Sequence, residues 1–155
     1  MENNVIKFEF VKRVEDLTKL DFFKLPARAT KKSAGYDFIN PEEVVIKPKE
    51  IVYVKTGVKA IFPDDLQLKL YNRSSNPRKK HLILANGVGI VDADYYNNSE
   101  NEGEIAFAFM NISNEDVVLS PGEKLGQGIF EKYYTITDEG EILNERQGGF
   151  GSTSK

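Results

Sequence analysis

Arg73, Ser74, Ser75 and Asn76 follow one another after an alternating apolar run and are closed off by Pro77. An arginine fork, two hydroxyls and the N–H groups of a turn are the donors that cradle phosphate oxygens. The same residues also make an ordinary solvated turn. A second stretch, NGVGIVDADY, begins at Asn86-Gly87 with small residues that let a ligand approach the backbone. It ends in Asp92 and Asp94, expected on opposite sides of the chain, just beyond the apolar Ile90 and Val91. A carboxylate at the end of a buried strand is costly unless it is paired or has a task; strand-end turn residues are the plain alternative. Asp37, in SAGYDFI, is a further carboxylate, either a plain strand-end aspartate or a hard oxygen ligand suited to Mg²⁺, directly or through water. Gln127 offers an amide between Gly126 and Gly128. NERQGGFGSTSK, residues 144–155, sets Arg146, Phe150, Ser152 and Thr153 among glycines. Such a stretch is either a frayed end or an arm that closes over something.

The elements that must position these groups read as β-strands. Val, Ile, Phe and Tyr recur in short runs broken by Gly, Pro, Asn and Asp. Ile6, Phe8 and Phe10 share one face. Leu66, Leu68 and Leu70 point inward, with Gln67 and Lys69 outward. Residues 43–62 read as two strands broken near Pro48, with Gly57 a bulge. HLILANGVGIVDADY and EIAFAFMNIS are apolar on both faces, so both faces are expected to be covered. VEDLTKLDFFKL has room for one helical turn. Pro121-Gly122 marks a turn before a last strand, and the acidic, polar segment 95–104 reads as a protruding, solvated loop. The expected architecture is an all-β barrel or sandwich at residues 1–143, followed by a Gly-rich arm at 144–155.

The chain has 155 residues, 40% hydrophobic, and a net charge of −3. That fits one domain with a real core. It argues against a protein that coats nucleic acid or an anionic membrane, both of which need a broad basic surface. There is no cysteine and a single histidine, His81, so thiolate chemistry and a histidine metal site are not expected. No signal pattern opens the sequence and no apolar run nears the ~18 residues of a membrane span, so a soluble cytoplasmic protein is expected.

Taken in order, AGYD, RSS, NGVGIVDADY, GEKLGQ and RQGGFGST resemble the five motifs of the trimeric dUTPase (deoxyuridine triphosphatase) family, from about Pro26 to Thr153. The resemblance implies a jelly-roll-like β-barrel, a homotrimer with active sites shared between subunits, and Mg²⁺-dependent hydrolysis of dUTP to dUMP and pyrophosphate. It makes Asp92 the general base and Ser74 the hydroxyl near the leaving oxygen. Asn86, with Gly87 and Val91 beside it, would read the uracil edge through the backbone, and Tyr95 would pack under the deoxyribose. Arg73, Ser75 and Asn76 would bind phosphate, and Gln127 the α-phosphate. Asp37 would reach the metal through water. Phe150 would stack on the base, Arg146 would pair with the γ-phosphate, and Gly151, Ser152 and Thr153 would assist, the arm reaching a neighbouring subunit.

The chain departs from the family's usual pattern in three places. Arg146 stands one residue nearer Phe150 than usual, RSS replaces the commoner RSG, and several residues are inserted after Asp94-Tyr95. A protein partner for the 96–103 loop has no support in the sequence. Two rivals share the scaffold: a dCTP deaminase, which reads Asp-Pro-Gly-Phe where this chain has Asp-Ala-Asp-Tyr, and a regulatory binding protein.

Overall fold

The computed structural model describes residues 4–150. Gly151, Ser152 and Thr153, expected at the site, lie outside them. Among the described residues twelve strands, all paired antiparallel, build a jelly-roll-like barrel. In chain order they are β1 (Lys7–Phe10), β2 (Ala27–Arg28), β3 (Tyr36–Ile39), β4 (Val44–Ile46), β5 (Ile51–Lys55), β6 (Val58–Ile61), β7 (Leu66–Asn72), β8 (Leu82–Leu84), β9 (Gly89–Val91), β10 (Ala106–Asn111), β11 (Val117–Leu119) and β12 (Lys124–Lys132). One sheet runs β2-β3-β12-β7-β9 and another β5-β10-β8, with β1 on β6 and β11 on β4 completing the wall.

Residues 43–62 hold three strands rather than two. The second break is at Gly57, whose φ of +76° carries the chain from β5 into β6. A side chain there would also meet Val14 at 2.9 Å, so glycine is required twice over. Val14 belongs to a 3₁₀ helix, Lys12–Lys19, which is longer than the single turn expected. With Val11 and Phe23 it forms a small satellite core.

The main core follows the alternation seen in the sequence. Leu68 and Leu70 are buried in β7, and β10 is covered on both faces. Phe38, Phe107, Phe109, Leu82 and Leu125 fill the interior. Each contributes about 1.5–3 kcal/mol when fully buried. The edge strand β9 differs from expectation: Val91 is buried but Ile90 and the preceding Val88 are open. An edge position leaves one face with no second layer over it. Beyond β12 the segment 133–150 contains no strand, and 131–145 is exposed throughout. Among the described residues no helix is long and apolar enough to cross a membrane.

Candidate active site

The β7–β9 ribbon sets the frame. Val91 lies opposite Leu68 and Gly89 opposite Leu70. Asp92 therefore leaves the ribbon at the Gln67 end, while Arg73 to Asn76 leave it at the other. Asp92 heads a 3₁₀ turn, Ala93–Tyr95, closed by the Tyr95 N–H donating to the Asp92 carbonyl at 3.1 Å.

Asp92 is not a buried carboxylate. Its side chain is 53% exposed and borders a cleft of about 550 Å³ with Asp64, Gln67, Ile90 and Tyr133. Nor do Asp92 and Asp94 face opposite ways. Both hold the Arg146 guanidinium, which donates Nη2–H to Asp92 Oδ2 at 2.9 Å and Nε–H to Asp94 Oδ1 at 2.8 Å. Residues two apart share a face in extended chain, and the 3₁₀ turn keeps both carboxylates within one fork's span. The Arg146 side chain is only 7% exposed. Burial lowers its pKa, and the two aspartates more than offset this and leave it raised.

Tyr95 forms the floor of this corner. It is 3% exposed; its hydroxyl donates to the Glu104 carbonyl at 2.7 Å and accepts from Asn101 Nδ2 at 2.9 Å. Burial pushes that hydroxyl's pKa up. The Arg146 guanidinium lies 5.6 Å from the ring centre. Phe150 packs against the same ring, centroids 5.3 Å apart at 36°, and against Tyr53 of β5 at 5.9 Å. The arm thus lies across the Tyr95 corner. Glu104 is fixed in turn by Arg13, at 2.8 Å, and by the Gly57 N–H, at 2.8 Å.

Asn86 and Gly87 form the turn between β8 and β9. The Gly87 N–H donates to the Leu84 carbonyl and the Val88 N–H to the Asn86 carbonyl. Gly87 has φ +75° and open space around it.

At the other end of the ribbon, Ser74 is exposed and Arg73 and Ser75 are half-buried. Asn76 does not join them as a ligand donor. It is 2% exposed, and its amide donates to Asn72 Oδ1 at 2.7 Å and to the Leu125 carbonyl at 2.9 Å. It ties the turn to β7 and β12 and so shapes the cluster instead. Gln127 stands nearby, opposite Tyr71 of β7 and Asp37 of β3. Its flanking glycines serve packing: a Cβ on Gly126 would lie 2.5 Å from Phe107, and one on Gly128 3.0 Å from Leu68 and Phe38. Gly35 serves the amide itself, because a Cβ there would fall 2.0 Å from Gln127 Oε1. Asp37 pairs with Lys124 at 3.0 Å. Among the described residues no three His, Asp or Glu side chains gather to hold a metal.

Sequence reading singled out Asp94 but not its sharing of Arg146 with Asp92, and it missed Asn101, Glu104, Tyr53 and Lys124. Asn101 reaches Tyr95 within its own turn, but the other roles depend on contacts far apart in the chain, such as the 91 residues between Arg13 and Glu104, which no local pattern announces. The 96–103 loop is also more than a solvated protrusion: Asn98 and Gly103 are buried, and Lys59, 8% exposed, donates to Asn97 and Glu102.

The site is an all-β barrel with a carboxylate corner at one ribbon end and an Arg-Ser-Ser cluster at the other, and comparison with known proteins supplies the class. Residues 21–154 match the family model described as dUTPase. A deoxyuridine 5'-triphosphate nucleotidohydrolase of Lactococcus lactis is 46% identical over 130 residues, covering 83% of this chain and 87% of its own. One from Rickettsia felis is 37% identical, covering 88% and 94%. The crystal structure of a dUTPase from Streptococcus mutans superposes with a TM-score of 0.76 at 41% identity, over 83% of this chain and 97% of that one. The chain belongs to the dUTPase family.

Proposed function

We propose that this chain hydrolyses dUTP to dUMP and pyrophosphate with Mg²⁺, through an Asp92-activated water that attacks the α-phosphorus. The reading limits uracil in DNA and supplies dUMP. What carries it is one contact set: the Asp92 carboxylate, open to a cleft, beside the buried Tyr95 ring and within reach of Arg146 and Phe150 of the arm.

Asp92 accepts the water's proton as the oxygen bonds to phosphorus, and the bond to the bridging oxygen breaks to release pyrophosphate. Ser74 and the Arg73 fork stabilise charge on the leaving oxygens, Ser75 adds a donor, and Gln127 meets the α-phosphate. The backbone of Asn86 pairs with O4 and N3 of uracil, with Gly87 and Val91 shaping the approach. Cytosine would leave a buried group unpaired there, at a cost of about 1–3 kcal/mol. The Tyr95 ring leaves no room for a 2′-hydroxyl. Phe150 stacks on the base, and Arg146 exchanges its two carboxylates for the γ-phosphate, with Gly151, Ser152 and Thr153 alongside. Mg²⁺ fits this donor set as an ion carried mainly by the triphosphate, with Asp37 contributing through water; it would neutralise charge on the phosphates.

The ribbon's geometry supports sites shared between subunits of a homotrimer. A nucleotide laid along β9 with its base at Asn86 and its α-phosphorus at Asp92 sends its outer phosphates past Asp92. The chain's own Arg73 lies six residues up β7 from the Gln67 level, roughly 20 Å the other way. The phosphate donors then come from another copy. Apolar side chains left open on the barrel wall support association: Val45 and Val118 are cross-strand partners, both exposed, and Ile51 joins them.

The test is pyrophosphate release with Mg²⁺ from dUTP, dCTP, dTTP and UTP, with ammonia measured in the dCTP reaction. Release from dUTP alone is expected, and Asp92→Asn should lower it by about 10²–10⁴-fold while nucleotide still binds. Ammonia from dCTP would assign the chain to deamination instead. Binding without turnover would leave a regulatory protein on this scaffold.

A further inference from the structure

Residues 96–103 are the insertion relative to the family's usual pattern, and they are held on two sides. Toward the barrel, the Tyr96 hydroxyl donates to Glu9 Oε1 at 2.6 Å, Lys59 donates to Glu102 Oε2 at 2.9 Å, and the Lys12 N–H donates to Glu102 Oε1 at 3.1 Å. Within the loop, Asn98 Nδ2 donates to the Tyr95 carbonyl, while Asn98 Oδ1 accepts from the N–H groups of Glu100 and Asn101. Backbone in the left-handed region at Asn97, Glu102 and Gly103 closes the turn. A Cβ on Gly103 would lie 2.8 Å from the Tyr95 carbonyl. The loop is therefore a fixed object, and its tip meets the arm. Ser99 Oγ donates to the Gln147 carbonyl at 2.6 Å, and the Gly149 N–H donates to Glu100 Oε1 at 2.5 Å. The fit is close, since a Cβ on Gly149 would fall 2.7 Å from Asn101 Nδ2 and 2.8 Å from Glu100 Oε1.

We infer that the inserted 98–101 turn is a dock for the arm, with Ser99 and Glu100 as positioning residues. They hold the backbone of Gln147 and Gly149 and so keep Phe150 at the Tyr95 corner, from which it passes onto the base when the sugar takes its place on that ring. Asn101 couples the two by bonding the Tyr95 hydroxyl from the same turn. Two hydrogen bonds do not offset the entropy of ordering the arm. The dock therefore biases the arm without locking it, and Arg146 or bound nucleotide supplies the remainder. An arm that opens at every turnover requires such a balance. The same surface receives the arm whether it comes from this chain or from another copy. The contribution to turnover rests on the function proposed above; the docking contact does not.

The test compares the full chain with Ser99→Ala/Glu100→Ala and with Glu100→Gln, which keeps an acceptor. Amide hydrogen exchange is followed without nucleotide, and steady-state kinetics with dUTP. In the double variant the Gly149 amide should exchange about tenfold faster, with β7 and β10 unchanged. KM should rise about tenfold with kcat within about twofold, the signature of lost binding common to ground and transition state. Glu100→Gln should recover most of both effects. Unchanged exchange at Gly149 overturns the dock. Faster exchange with unchanged KM overturns the positioning role. A parent chain that exchanges slowly at Gly149 yet does not turn over dUTP keeps the dock and removes both the positioning role and the proposed reaction.

Discussion

Arg146 holds the two aspartates that end the β9 segment, at 2.9 Å from Asp92 and 2.8 Å from Asp94. The arm's single arginine thus sits on the carboxylate that the proposed reaction needs as a base. Fork geometry suits a carboxylate pair or a phosphate equally well, so the same residue can neutralise Asp92 in the empty site and a phosphate in the filled one. Arg146→Ala should lower kcat/KM for dUTP by about 10²-fold. Arg146→Lys should recover part of that, because it keeps the charge and loses the fork. A rise in kcat/KM for Arg146→Ala would mean that the arginine only obstructs Asp92.

Gly35 and Gln127 give a prediction with a different readout. Gly35→Ala places a methyl 2.0 Å from Gln127 Oε1, the far end of a flexible side chain, and 3.0 Å from Gln127 Cβ, where the two segments need give only a few tenths of an ångström. The amide can swing away, so the barrel should fold with Tm within about 3 °C of the parent. In the proposed reaction the displaced amide would no longer meet the α-phosphate. Turnover should fall about tenfold or more, as when one donor to developing charge is lost. Unchanged turnover with Gln127 shown to have moved would remove the amide from the reaction.

The site's residue types were legible because each motif is local, and their order along the chain carries the resemblance. Their grouping was not. That Asp92 and Arg73 leave opposite ends of one ribbon follows from the register Val91–Leu68, and register is not written in a run of alternating side chains. The strands were legible where one face is buried, as at Leu66, Leu68 and Leu70. They were misread where chain geometry decides: Gly57 divides β5 from β6 through its φ of +76°. The 96–103 loop looked solvated because it is polar, yet Tyr96 finds Glu9 87 residues away and Lys59 finds Glu102 43 residues away.

Those loop anchors predict the acid limb of stability. The Tyr96 hydroxyl and Lys7 lower the Glu9 pKa from 4.5. At Glu102 burial opposes the shift, but Lys59 and the Lys12 amide lower the value from 4.5. Glu123, against Lys80 and the Ser120 amide, is likewise lowered. A folded pKa below the unfolded one gives stability that is full above the unfolded value and lost as pH falls through the folded one. Tm should therefore hold from neutrality down to about pH 4.5 and fall below it, and Glu102→Gln should flatten that limb. A Tm already falling between pH 6 and about 5 would place the controlling group elsewhere.

Truncation after Asn144 separates the arm's two possible uses. The buried apolar residues of the main core lie between Phe38 and Leu125, and the chain from 131 to 145 is exposed throughout. Removing the remainder deletes hydrogen bonds to Asp92, Asp94, Ser99 and Glu100 and the Phe150 contact with Tyr95, but no side chain of that core. Tm should shift by no more than about 2 °C. Turnover of dUTP should fall by at least about a hundredfold, because Phe150 and Arg146 leave together and bulk water gains the cleft. A Tm loss above about 8 °C would make the arm a strap that holds the barrel, and the contacts with Tyr95 and Tyr53 would then be its anchor points. A preserved Tm with lost turnover would assign those same contacts to the reaction, which is the outcome the exposed 131–145 segment supports.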